Sequence, residues 1–345
     1  MFEGWRKPIY VVIIDGNDFT SRFRPLVKSI RVSKKAKQSS HTAEILLADP
    51  EGIIALPTDE SKIQIHLGHE GDGADVVFEG TVNDVNSRGG KGSGSELTIS
   101  ANSADQKGKI KQQILGHKDD ATFADVAREW GGKAGLGVEV LGSLAQITRP
   151  YWIIQSESFQ AWGQRMAAEL GATFQVIGER AFFSPRNEGI SATGAELTPV
   201  IAARFRNLKV WDISPLIGRP QYQSVRTRYY DRETAQWMEE TVEVRGGAAD
   251  VQLGLQTPEA DQSTARDRAA SSAKESEREK GSGTVVILGD YAAEPEATCI
   301  VSGTRPGVDG EYTIDAVDHS VTKKGGFETT LTIKKPSGEA GKDTR

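Results

Sequence analysis

Two stretches of the sequence lie more than two hundred residues apart and read as the same β-hairpin. Gly80 to Ala101, "GTVNDVNSRGGKGSGSELTISA", and Tyr312 to Lys335, "YTIDAVDHSVTKKGGFETTLTIKK", each run strand, glycine-lysine turn, strand. In the first, Val82 and Val85 lead into Gly89-Gly90-Lys91-Gly92 and out to Leu97 and Ile99. In the second, Ile314 and Val317 lead into Lys323-Lys324-Gly325-Gly326 and out to Leu331 and Ile333. Glycines supply the positive φ such a turn needs, and the Leu-x-Ile spacing puts two apolar side chains on one face. A chain that repeats its hairpin this way is constrained toward two similar β units, and the echo points to duplication of one barrel.

The surroundings of each hairpin agree. Before the first come "PIYVVIIDGNDFT", "SIRVS", "AEILLADP" and "SKIQIHLG", short strands ended by Asp15-Gly16 and Asp49-Pro50. With "DVVFEGTVNDV" and "SELTISA" they make six strands, a small antiparallel barrel or sandwich. After Ala101 the texture changes. Phe123, Val126, Ala127 and Trp130 recur at helical spacing, with Gly131-Gly132 expected to end the run. A second helix is predicted from an N-cap at Ser158 to Gly171, with Phe159, Trp162, Met166 and Leu170 as a core stripe. A hairpin then turns at Gly178-Glu179. From about Ile201 strands return, including a long hairpin turning near Arg232 to Gln236. An alanine-striped helix is predicted over Pro258 to Lys280, with Thr257 as cap. Its Ala265, Ala269 and Ala273 bury little area, so it must lie close against something or be largely solvated. The expected division is a β-barrel over 1–105, a small α/β unit over 106–200, a second barrel over 201–337 with the helix 258–280 inserted, and a disordered tail over 338–345.

The chain has 345 residues, enough for more than one core. Net charge is −6 with both signs interspersed, which argues against a protein that coats nucleic acid. "SIRVSKKAKQ" is locally basic and reads as a solvated strand end and loop. Met1 to Pro8 reads as no signal peptide, and "IYVVII" is too short to span a bilayer. The one cysteine, Cys299, excludes an internal disulfide and reads as a buried structural thiol in a reducing compartment.

The motif Asp-Gly-x-Tyr-x-Ile-x-x-Val-x-His (Asp309 to His319), followed by Gly-Gly-Phe-x-Thr-x-Leu (Gly325 to Leu331), resembles the C-terminal signature of the phage late control D proteins. These are baseplate hub proteins of contractile tails, related to the hub part of type VI secretion spike proteins. "QSESFQAWGQRMAAELGATFQVIGERAFFSP" and "YVVIIDGNDFT" resemble the family's middle segment and opening strand, so the likeness spans nearly the whole chain to about Pro336. The resemblance implies a mainly β fold with an α+β insertion: two tail-tube-like antiparallel β-barrels per chain plus a small α/β middle domain. It implies a structural homotrimer whose six similar faces join the sixfold tail tube to the threefold spike. Its partners would be further copies of itself, the tube protein, the spike protein and other baseplate proteins. Its place would be the virion tail baseplate, assembled in the bacterial host cytoplasm. It implies no cofactor, no specific nucleic-acid binding and no membrane insertion. Gly310, Tyr312, His319, Gly326, Phe327 and Thr329 carry over as structural signature residues.

Enzymatic patterns are weak. "HLGHE" (His66 to Glu70) superficially suggests metal ligands, but His66 and His69 fall on different faces of an alternating strand and its turn. "SRGGKGSGS" lacks the Gly-Lys-Ser/Thr order of a P-loop, and no Gly-x-Ser-x-Gly elbow occurs. Many carboxylates are present without an isolated pair, which leaves a tail-associated peptidoglycan-degrading enzyme as the alternative. A transcriptional regulator is disfavoured by the lack of a helix-turn-helix and by the acidic balance.

Overall fold

A computed structural model of the chain describes residues 6–50, 52–58, 60–91, 94–104, 108–215, 222–245 and 249–343. The first β unit contains β1 (Pro8–Ile14), the two-residue β2 (Asn17–Asp18), the short α1 (Thr20–Phe23), β3 (Val27–Lys35), β4 (Thr42–Ala48), β5 (Lys62–His69), β6 (Gly73–Gly90) and β7 (Gly94–Asn102). Alternation decides what points inward. Ile63, Ile65 and Leu67 of β5 are buried with Val12, Ile30, Val32, Ile45, Val82, Leu97 and Ile99. Since β1 and β3 through β7 all feed this one core, the sheet curls around it.

The middle unit contains β8 (Gln113–Thr122), α2 (Phe123–Lys133), β9 (Gly137–Val140), β10 (Thr148–Ser158), α3 (Phe159–Leu170), β11 (Ala172–Ile177) and β12 (Arg180–Pro185). Its core is aromatic: Phe123, Trp130, Trp152, Phe159, Trp162, Phe174 and Phe183 lie together, buried. Helix α3 has the predicted ends, with Ser158 Oγ accepting from the Ala161 N–H at 3.2 Å and Gly171 at φ 64°. Helix α2 does not stop at Gly131-Gly132 but runs on to Lys133. A Cβ on Gly131 would lie 2.1 Å from Val138 Cγ2, so this glycine admits strand β9 against the helix rather than ending it.

The second β unit contains β13 (Val200–Ala203), β14 (Leu208–Ser214), β18 (Ser282–Leu288), β19 (Thr298–Ser302), β20 (Gly310–Thr322) and β21 (Gly326–Ser337). Between β14 and β18 are inserted β15 (Tyr222–Asp231), β16 (Gln236–Glu243), β17 (Ala249–Gly254) and α4 (Gln262–Arg278). The inserted strands form their own sheet, with β15 central. The helix is shorter than expected at both ends: Asp261, not Thr257, caps it by accepting from the Thr264 N–H at 2.9 Å. Ala265, Ala269 and Ala273 are buried, and Ala269 and Ala273 pack with Val225 and Val244. The thin alanine stripe thus brings the helix close to the inserted sheet.

The two β units share one strand order. The first reads β3-β4-β7-β6-β5-β1 and the second β14-β18-β21-β20-β19-β13, each strand in the same place along the chain. The likeness extends to single bonds. Counting back from the hairpin turn, seven register pairs precede a bulge in both β6–β7 and β20–β21, placing Asn83 and Asp315 at equivalent positions. Bulges at Lys28 and Lys209 also match, and these lysines pair with the equivalent Glu96 and Glu328. The Val82 N–H donates to Ser61 O as the Ile314 N–H donates to Ala297 O, both at 2.9 Å. This register corrects the repeat read from sequence. Leu97 is equivalent to Thr329 and Ile99 to Leu331, so the two Leu-Thr-Ile segments are offset by two residues, a slip that keeps every side chain on its face. The units depart most at their edge: β1 runs antiparallel to β5, whereas the short β13 runs parallel to β19.

The two units share one sheet: Ala316–Thr322 of β20 pair with β3, from Ala316↔Lys35 to Thr322↔Ser29, fusing both into one 13-stranded sheet. Two further expectations are corrected. Lys34, expected in solvent, is buried in that joint and paired with Glu294. The tail is ordered through Asp343: the Gly341 N–H donates to Gly307 O at 2.8 Å, and Ala340 packs against the second core. Residues 344–345 lie outside the described residues.

Candidate functional site

The β3–β20 joint is where His319 of the signature falls, with Phe327 and Thr329 packed beside it. His319 faces Thr329 across β20–β21 and Val32 across β20–β3, and is 1% exposed. Its Nδ1 shares a 3.1 Å hydrogen bond with Thr329 Oγ1, which accepts from the Asp290 N–H at 2.9 Å. Burial, with the positive charge of Lys34 second, holds the His319 pKa down to about 3, so the ring is neutral. Phe327 lies between His319 and His69, its ring 5.9 and 5.3 Å from theirs. A Cβ on Gly289 would lie 2.1 Å from the Phe327 ring. Gly326, at φ 74°, turns the chain into β21.

Gly310 and Tyr312 serve the other end of β20. A Cβ on Gly310 would lie 2.6 Å from Ala340 N, so this glycine lets the C-terminal turn close over the strand. Tyr312 Oη donates to Val308 O at 2.7 Å, and burial pushes its pKa up to about 12. Of the six signature residues, the structure brings His319, Phe327 and Thr329 together, while Gly310, Tyr312 and Gly326 shape the strand ends.

An ionic centre in the same region has no sequence signal that marks it among the many charges of α4. Arg278 is 1% exposed and donates to Glu296 at 2.9 and 3.0 Å, to Asp315 at 2.9 Å and to Asn187 Oδ1 at 3.0 Å. It ties the insertion, the second β unit and the middle unit into one contact. Arg149 adds a second tie, from β10 to Glu169 of α3 and Asp267 of α4.

Two further buried groups are held in their neutral forms. Burial holds the His41 pKa down to about 3, with Lys34 adding to it, and burial pushes the Cys299 thiol up to about 12. His66 and His69 belong to no metal-ligating cluster among the described residues. The geometry therefore defines a β scaffold whose special residues lock one unit to the next.

That scaffold is the fold of phage tail proteins. The chain superposes on the 43 kDa tail protein of prophage MuSo2 from Shewanella oneidensis with a TM-score of 0.70, at 14% identity over 94% of this chain and 98% of that one. It also matches an Escherichia coli component of the type VI secretion system that is similar to the T4 tail proteins gp27 and gp5, at a TM-score of 0.54, 12% identity, and coverage of 92% of this chain and 76% of that one. In sequence it is similar to the probable baseplate hub protein of Escherichia phage P2, 24% identical over 197 residues, which is 57% of this chain and 50% of the relative. The chain thus aligns with about half the length of that relative. No family model matches. These relatives are the group to which the sequence signatures pointed.

Proposed function

We propose that this protein is a structural baseplate hub of a contractile phage tail or of a phage-derived injection particle. In this reading the chain divides into two tube-like units, 1–105 and 201–337, flanking a middle unit, 106–200. Three copies form a ring that offers six similar faces to a sixfold tail tube and a threefold base to the spike. The carrying observation is the duplication itself: two β units with one strand order, one hairpin bulge position and one lysine-glutamate pair. Such repetition within a chain is what adapts a threefold assembly to a sixfold partner. The likeness to tail proteins and to a baseplate hub supports the same place in the particle and a non-enzymatic role.

Mass measurement in solution combined with imaging of the purified particle tests this. The expected result is three copies around a central passage, with six β lobes in projection. A twofold dimer, or any ring without three copies, overturns it.

A further inference from the structure

The joint formed inside the chain has a matching half at each end of the molecule. Strand β20 uses one edge twice: Gly310–Thr313 pair with β19, and Ala316–Thr322 pair with β3. Its equivalent, β6, pairs with β5 only as far as Thr81; from Asp84 to Gly89 it pairs with β7 alone among the described residues. The equivalent of β3 is β14, which pairs with β18 alone among the described residues. Exposure follows the same division. In the joint, His319, Val321, Ile30 and Val32 are 4% exposed or less. Their equivalents Ser87 and Gly89 are exposed and Trp211 and Ile213 are half-buried; Ser29 is 8% exposed, and its equivalent Val210 is 58% exposed.

We infer that β6 of one copy pairs antiparallel with β14 of a second copy, in the register that β20 and β3 use within the chain. This rests on the ring reading above for its closure, and on the internal joint for its geometry. Carrying each pair across by equivalence, Asp318↔Ser33 becomes Asn86↔Ser214 and His319↔Val32 becomes Ser87↔Ile213. Likewise, Ser320↔Arg31 becomes Arg88↔Asp212 and Val321↔Ile30 becomes Gly89↔Trp211. The side chains at these positions suit one another. Arg88 and Asp212 are opposite charges directly across the pair, which stabilises an antiparallel ladder. Gly89 leaves room for the indole of Trp211. Pairing would also satisfy two exposed strand edges, which otherwise invite indiscriminate association. The contact is head-to-tail, so it closes into a ring or runs on as a filament.

Chains carrying Arg88→Cys, co-expressed with differently tagged chains carrying Asp212→Cys, test the pairing under mild oxidation. The expected product is a disulfide-linked pair containing one chain of each tag. Replacing the second partner by Ser214→Cys moves the thiol two residues along the strand and should lose that product. With both cysteines in one chain, the bands should climb to three chains and stop. Bands that continue past three keep the strand pairing and end the threefold ring. A trimer by mass that yields no in-register disulfide keeps the ring and overturns the strand pairing; a chain that neither associates nor cross-links overturns both. Arg88→Asp provides a second arm: it should abolish association, and adding Asp212→Arg should restore it.

Discussion

Strands β6 and β20 hold the same place in their units and differ in company. Beyond the bulge, β20 is buried along both edges, with β21 on one side and β3 on the other; β6 has β7 alone among the described residues. Their residues have diverged accordingly. Where β20 carries His319 and Val321, β6 carries Ser87 and Gly89; where the bulge of β20 carries Asp315, that of β6 carries Asn83. The two units keep the same backbone bonds while their side chains differ with whether a strand such as β3 lies alongside within the chain. The lesson is that equivalent backbone positions can be held by one hydrogen-bond pattern and still differ sharply in what their side chains hold together.

The largest test of that difference lies at the bulge. Asp315 and Glu296 both accept from Arg278, Asp315 also pairing with Lys334 at 3.3 Å, whereas Asn83 Oδ1 is buried without a partner among the described residues. Arg278→Ala takes the guanidinium from Glu296, which is 6% exposed, and leaves half-buried Asp315 to Lys334; it should cost about 3–5 kcal/mol in urea unfolding. Asn83→Ala removes no hydrogen bond of that Oδ1 and should cost under about 1 kcal/mol, the range of substitutions away from such networks. Equal costs would mean that the ionic centre does not distinguish the two units.

Acid provides the next contrast, because the second unit holds a buried neutral histidine where the first holds Ser87. The folded pKa of His319 is about 3, below its unfolded value of about 6.5. A depressed histidine binds its proton more readily when unfolded. Its contribution is therefore fully present above the unfolded pKa and is lost as pH falls toward the folded one. The expected slope is about 1.4 kcal/mol of stability per pH unit for each such histidine between those limits. His319→Asn should lower the measured slope over pH 4 to 6 by that amount, as read from urea midpoints at each pH. An unchanged slope would remove His319 as a neutral core group.

Much of this was legible from residues alone because β alternation and helix caps are local. Ile63, Ile65 and Leu67 announce their face, and Ser158 and Gly171 announce the ends of α3. The repeated hairpin was legible too, though its Leu-Thr-Ile match was two residues out of register. A two-residue slip preserves face, so apolar pattern alone cannot reveal it; only the bulges fix the alignment. The β3–β20 joint and the Arg278 centre were not legible. Both depend on partners far apart in the chain, Arg31 facing Ser320 and Asn187 meeting Arg278, and no local period encodes such meetings. The start of α4 was misplaced because Pro258 is a good first helical residue, but the side chain of Asp261 captures the Thr264 N–H and sets the boundary there.

The smallest expected effect asks whether the units remain alike where their surroundings differ. Lys28 pairs with Glu96 beside the formed joint, and Lys209 pairs with Glu328 beside the edge of β14 that is unpaired among the described residues. Both lysines sit at the bulge of their strand, and all four side chains are between 32% and 41% exposed. Exposure of that degree keeps each pair weak, and salt weakens it further. Double-mutant cycles built from Lys28→Met with Glu96→Gln, and Lys209→Met with Glu328→Gln, should give coupling energies equal within about 0.3–0.5 kcal/mol, the usual error of such cycles. Equality would show that the bulge, common to both units, sets the geometry of the pair. A markedly stronger coupling at Lys28 would instead tie the pair to the adjoining joint, and Lys209 should then strengthen to match once β14 acquires its partner strand.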